Sequence, residues 1–196
     1  DGTIPPEKHS YYLSIVSTEV KRLSRLVQSM LNLAKLESGE QKINKTEFDF
    51  CDMLFKILVS QEQRIEKQNI EVLGLEDCEA IIINADYDLL YQVVYNLVDN
   101  AVKFCPEGGT LGLKIREGGN KAYVSISNDG ETIPPEELPL VFDRFHKLDK
   151  SRSQNRDGWG LGLYIVKTIV CSHGENISVT SRDGKTEFTF TMPLVN

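Results

Sequence analysis

The pattern that most restricts the fold is a change of hydrophobic period near residue 40. From Leu13 onward, apolar residues recur at Val16, Val20, Leu23, Val27, Met30 and Ala34, in alternating steps of three and four. This is a heptad seam sustained over three repeats, widened by Leu26, Leu31, Leu33 and Leu36. The spacing predicts one long helix, with Pro5 and Pro6 in the turn that opens it and Ser38-Gly39 stopping it. The stripe could pack on its own domain, but it is broader than one flank of a small domain needs, so it predicts a partner helix.

Beyond residue 41 the period switches repeatedly. "FCDMLFKILVSQEQRIEKQ" reads as an amphipathic helix, and "NIEVLGL" and "EAIIINA" read as strands separated by a turn over 74–79. Asp86 can cap a long helix running to Phe104. "GTLGLKI" and "AYVSISN" are strands joined through Gly118-Gly119, a hairpin signal. "PPEELPLVFDRF" reads as a short helical stretch, and residues 146–158 as a mobile polar loop with almost nothing to bury. A glycine cluster then opens a helix to about Ser172, and "NISVTSR" and "KTEFTFTMP" close the chain as alternating strands. Helices interleaved with hairpins predict an α+β fold, a two-layer α/β sandwich on a mixed, mostly antiparallel sheet, and not a parallel doubly wound one. The expected division is 1–40, the coiled-coil-like helix, and 41–196, a globular domain.

Bulk properties narrow the function. A formal charge of −7 argues against binding nucleic acid as the main business of the surface. No run approaches eighteen apolar residues and no basic-then-apolar leader opens the chain, so neither a membrane span nor a secretion signal is expected. Cys51, Cys78, Cys105 and Cys171 lie 27, 27 and 66 positions apart. That spacing suits neither zinc nor a disulfide framework and predicts reduced thiols in the cytosol.

Three stretches carry chemistry. In "NLVDNAVKF", Asn96, Asn100 and Lys103 stand four and three apart on one helical face while Leu97, Val98, Ala101 and Val102 fit a core. Amides on an otherwise buried helix must find partners, line a cleft, or simply meet solvent as a polar flank. In "SISNDGETIPPEE", a strand ends at Asn128-Asp129-Gly130, which suits either an ordinary turn or a nucleobase-reading edge. In "DGWGLGLYIVK", Gly158, Gly160 and Gly162 crowd a helix start. Glycines there leave backbone N–H groups bare for an anion, or let a neighbouring helix pack closely.

Taken in order, these stretches resemble the ATP-binding domain of sensor histidine kinases, within the gyrase, heat-shock chaperone, histidine kinase and mismatch-repair ATPase superfamily. "NLVDNAVKF" matches its N box, "NDGETIP" its first glycine box, "FDRF" its F box and "GWGLGL" its second glycine box. The resemblance covers about residues 42–194, and "IPPEKHSYYLSIVSTEVKRLSRLVQSMLNLAKLESGE" resembles the second helix of the family's dimerisation and phosphotransfer hairpin. It implies a Bergerat-type fold and transfer of the ATP γ-phosphoryl to a histidine, for relay to the receiver domain of a response regulator. It further implies a homodimer and a cytoplasmic location, in an intact bacterial sensor anchored in a membrane that this part does not touch.

The same resemblance implies residue roles. Asn100 holds Mg2+ bridging the ATP phosphates, Asn96 orients that shell, and Lys103 and Lys147 neutralise phosphate charge. Asn128 accepts from the adenine amino group where the family carries aspartate. Gly158, Gly160, Leu161 and Gly162 form the lid hinge and phosphate cradle, and Phe104, Gly130, Ile133, Phe145 and Leu163 complete the nucleotide contacts. The hydrolases of the superfamily carry a glutamate base where this chain has Asn96, which fits transfer better than hydrolysis. Thr132 stands where the first glycine box has its second glycine, and Lys147 where arginine is common. His9, His146 and His173 lack the acceptor context, so the chain is expected to bind ATP without phosphorylating itself. Alternatives are a hydrolase or serine kinase of the superfamily, or a degenerate nucleotide-sensing and dimerisation module.

Overall fold

The computed structural model describes residues 5, 8–40, 42–74, 80–147 and 159–195. They fall into two compact units, Asp1–Gln41 and Lys42–Asn196. The first unit is one helix, α1 (His9–Glu37). It ends as its composition predicts: Gly39 adopts the left-handed conformation, and the Ser38 N–H caps back onto Ala34 O. The seam residues Leu13, Val16, Val20, Leu23, Val27 and Met30 are exposed.

The second unit carries the other elements: β1 (Thr46–Asp49), α2 (Phe50–Lys67), β2 (Glu71–Leu73), β3 (Ile82–Ala85), α3 (Tyr87–Phe104), β4 (Thr110–Gly118), β5 (Lys121–Asp129), α4 (Gly162–Ser172), β6 (Ile177–Arg182) and β7 (Lys185–Pro193). Five strands form one sheet in the order β2-β4-β5-β7-β6, parallel only between β2 and β4. β1 and β3 form a separate antiparallel pair. The fold is therefore α+β on a mixed, mostly antiparallel sheet.

Alternation along the central strands decides what faces the helices. On β5, Ala122, Val124, Ile126 and Asn128 are buried, and opposite them in register on β7 stand Met192, Phe190, Phe188 and Thr186. Burying this face against α2, α3 and α4 supplies the main apolar driving force. Phe50 of α2 meets Phe190 edge-on, with ring centroids 6.3 Å apart. The opposite sheet face is hydroxyl-rich, with Ser125 and Thr189 hydrogen-bonded at 2.7 Å.

Two expectations need correction, and one strand had no sequence signal. "PPEELPLVFDRF" yields only a single 3₁₀ turn at Leu138–Leu140, because Pro134, Pro135 and Pro139 remove the N–H groups that a longer helix needs. The strand β1 was not anticipated, since its four residues run straight into the α2 cap and show no long alternation. Cys51 is disulfide-bonded, against the expectation of reduced thiols, while Cys105 and Cys171 are free. Sequence spacing does not measure proximity in the fold: Phe50 N–H donates to Ile81 O at 2.9 Å, placing the start of α2 beside the strand that precedes α3.

Candidate functional site

The site is built on α3. Its stripe of Leu89, Leu90, Val93, Val94, Leu97, Val98, Ala101 and Val102 is buried, and that burial fixes the helix's rotation. Asn96, Asn100 and Lys103 are then left at its flank, half-buried. From Asn96 to Phe104 the helix rises by about 12 Å, a ledge two turns long. The Asn96 Nδ2 is buried without a hydrogen-bond partner. A buried unpaired amide costs about 1–3 kcal/mol, which a ligand acceptor would recover. Asn100 makes no side-chain hydrogen bond among the described residues, and the Lys103 Nζ lies 5.2 Å from the Phe104 ring centroid.

The end of β5 meets the C-terminal end of this ledge. Asn128 is buried, and its Nδ2 donates to Asp129 O at 2.8 Å, which fixes the amide's orientation. The Asp129 carboxylate accepts from Thr110 N–H at 2.9 Å. Gly130 has to be glycine: a Cβ there would stand 2.9 Å from Phe104 O and 3.3 Å from Asn128 Nδ2. Ile133, further along the same loop, is buried. Just behind the ledge, burial pushes the Cys105 thiol above its ordinary range, with the Asp129 charge acting in the same direction. The thiol therefore stays protonated and donates to Thr110 O.

The start of α4 meets the N-terminal end of the ledge. Leu161 is its N-cap, contributes no side-chain hydrogen bond, and no acidic residue occupies the first turn. Among the described residues no side chain caps the Gly162 and Leu163 N–H groups, an arrangement suited to an anion. A Cβ on Gly162 would lie 4.0 Å from the Asn96 Cγ, so the helix opening and the amide ledge adjoin. Gly160, at φ +69°, abuts the F-box segment so closely that a Cβ would stand 2.7 Å from His146 O. Phe145 N–H donates to Gly160 O at 3.0 Å, and Phe145 itself holds a left-handed φ of 62°.

Asn96, Asn100, Lys103 and Phe104 on α3, Asn128 and Gly130 at the strand end, Phe145 in the F-box segment, and Gly160, Leu161, Gly162 and Leu163 at the helix opening therefore come from four separate segments that adjoin through these contacts. Lys147 follows two residues after Phe145, half-buried, and makes no hydrogen bond to the α3 amides among the described residues. Gly158 and most of the polar stretch 146–158 lie outside the described residues.

Two features were not anticipated. The His146 Nε2 and Glu137 Oε2 stand 2.8 Å apart, bringing the F-box segment close to the loop before it. Residues 130–133 are also bonded to the β6–β7 hairpin through Thr132 and Ser181. Neither pairing shows in sequence, because the partners are distant or have no periodic signal. The α3 amides, the backbone N–H groups at the α4 opening and the two lysines are neutral or positive, which suits an anionic ligand.

Residues 85–196 match the histidine kinase-, DNA gyrase B- and HSP90-like ATPases. Sensor histidine kinase YclK of Bacillus subtilis (strain 168) is 34% identical over 196 residues, an alignment covering 98% of this chain and 41% of YclK. The nucleotide-free catalytic domain of histidine kinase ThkA is 30% identical with a TM-score of 0.66, covering 76% of this chain and 95% of that one. ThkA in complex with the response regulator protein TrrA gives a TM-score of 0.76 at 27% identity, over 100% of this chain and 54% of that one. The chain spans less than half the length of the curated relatives it matches. It belongs to the histidine kinase-, DNA gyrase B- and HSP90-like ATPase family, and its ATP-binding domain is of the histidine-kinase kind.

Proposed function

We propose that residues 41–196 bind ATP and present its γ-phosphoryl to a histidine, and that residues 1–40 are the second helix of a dimerisation and phosphotransfer hairpin. The observation that carries the reading is the unpaired, buried Asn96 amide beside the uncapped start of α4. The adenine amino group would donate to Asn128, whose Nδ2 is already committed to Asp129 O, so that its oxygen is left as the acceptor. Uncapped N–H groups at Gly162 and Leu163 would take phosphate oxygens, and Lys103 and Lys147 would reduce the charge repelling a nucleophile.

The donor set fits magnesium carried in on phosphate. No group of three His, Cys, Asp or Glu among the described residues could cage an ion, whereas Asn100 offers a hard amide oxygen that no side-chain bond engages. When bound, magnesium would supply charge neutralisation across the phosphate oxygens. The protein's own contribution is positioning: Asn100 and Asn96 hold the tail along the ledge, and α4 fixes its far end.

In the intact protein the phosphoryl group would pass from ATP to a histidine nitrogen, leaving ADP, and then to an aspartate of a response regulator. The solved complex of ThkA with TrrA supports that partner. The exposed α1 seam supports a homodimer. No described helix is long and apolar enough to cross a membrane, and a cytoplasmic position for this part of an anchored sensor accords with that.

Titrating the chain with a fluorescent ATP analogue and magnesium is expected to give saturable binding at or below high micromolar concentrations. Supplying the histidine-bearing helix hairpin in trans is then expected to give acid-labile phosphohistidine. Absence of saturation refutes nucleotide binding. Steady phosphate release without a histidine substrate would identify a hydrolase instead.

A further inference from the structure

Residues 130–133 run from the strand end that meets the α3 ledge to the loop before the 3₁₀ turn. They are held from two sides. On one side Gly130 lies against the end of α3, where a Cβ would stand 2.9 Å from Phe104 O. On the other, three bonds connect the segment to the β6–β7 hairpin. Gly130 N–H donates to Gly184 O at 2.8 Å, Gly184 N–H donates to the Thr132 Oγ1 at 2.9 Å, and Ile133 N–H donates to the Ser181 Oγ at 2.9 Å.

The hairpin tip is shaped for this. Asp183 and Gly184 both have positive φ, 52° and 78°, as a two-residue type I′ turn requires, and Arg182 pairs with Lys185 across it. In that turn the Gly184 N–H and C=O are free of the strand ladder, and both go to residues 130–132. The Ser181 hydroxyl is itself oriented by Thr186, 2.8 Å away, and Thr186 stands opposite Asn128 in the register of β5 and β7. The hydroxyls of Thr132 and Ser181 therefore set where residues 130–133 sit relative to Asn128 and the α3 ledge. Neither side chain contributes to the apolar core.

We propose that the β6–β7 tip is a positioning element for nucleotide binding, with Thr132 and Ser181 as positioning residues that act through the 130–133 backbone. This rests on the reading of the adjoining ledge as the nucleotide site. A rigidly held loop spares the ligand the entropy of ordering it, so loosening the loop should appear as weaker binding.

The test uses the whole 196-residue chain and a fluorescent ATP analogue with magnesium. The double variant Thr132→Val/Ser181→Ala is expected to bind about tenfold more weakly, as the loss of two ordinary hydrogen bonds implies. The hydroxyl-retaining variant Thr132→Ser/Ser181→Thr is expected to restore affinity to within about twofold, because it keeps both acceptors. Unchanged affinity in the double variant overturns the proposal. So does a lowered affinity that the hydroxyl-retaining pair fails to restore, because that marks a merely structural effect. If the wild-type chain itself does not saturate, the nucleotide-site reading has failed; if it does, and the double variant matches it, only the hairpin's role has failed.

Discussion

Helices α3 and α4 lie side by side, yet they begin in opposite ways. At the start of α3 the capping residue is fully engaged. The Asp86 carboxylate accepts from Leu89 N–H at 3.2 Å and from Asn44 N–H at 2.9 Å, and Asp86 N–H donates to the His173 Nε2 at 3.1 Å. That last bond fixes the buried His173 as an acceptor at Nε2, with its Nδ1 donating to Ile169 O at the other end of α4. At the start of α4 no such cap is found among the described residues: Leu161 offers none, and the neighbouring Asn96 Nδ2 is buried and unpaired. One helix start is capped and structural. The other keeps donors in reserve. The same contrast recurs along α3, since Asp99, next to Asn100, is paired with Arg64 of α2 at 2.5 Å. Unspent hydrogen-bonding capacity is what sets the proposed ligand side apart.

Substitutions can break or sharpen this contrast, and the largest effect belongs to Asn100. Asn100→Ala should weaken magnesium-dependent nucleotide binding at least about a hundredfold, as loss of a metal-coupled ligand implies, while the melting temperature stays put. Fluorescence titration alongside thermal melting reads both.

Asn96→Ala comes next. It deletes a buried donor that has no partner in the unliganded protein, so stability should hold or rise by up to about 1 kcal/mol, while affinity falls about tenfold. A clear loss of stability in urea titration would mean that Asn96 is structural after all.

Asp86→Ala should behave conversely. Losing a helix cap that also accepts from Asn44 should cost about 1–2 kcal/mol in denaturant unfolding, with nucleotide affinity changing less than about threefold. Smallest is Asp99→Ala, which breaks a partly exposed ion pair and should cost no more than about 1 kcal/mol without touching affinity. If Asp99→Ala weakened nucleotide binding as much as Asn96→Ala, the contrast along α3 would not hold.

Much of this was legible in the chain, for identifiable reasons. The 3.6-residue stripe of α3 fixes its rotation, so Asn96, Asn100 and Lys103 had to share a flank. The two-residue period of β5 likewise puts Asn128 on the core face with Ala122, Val124 and Ile126. Gly118-Gly119 marked the β4–β5 hairpin, whose register closes at Gly118 and Lys121. What was not legible depends on contacts between distant segments. The four residues of β1 are too few to show a period, and their pairing with β3 is set by the fold. Thr132 reads in sequence only as a missing glycine, whereas in the fold its hydroxyl meets Gly184, 52 residues on. The proximity of Asn96 to Gly162 could be expected only from resemblance, because no local pattern joins residues 66 apart.

The central claim is that the α3 amides and the opening of α4 clasp one ligand. The direct measurement is NMR of the isotopically labelled chain during a magnesium–ATP titration, following the side-chain amide resonances of Asn96 and Asn100 and the backbone amides of Gly162 and Leu163. The account predicts that all four move together along one saturation curve, while the Leu89 amide at the capped start of α3 stays in place. Saturable binding that leaves Asn96 and Gly162 unmoved would contradict it.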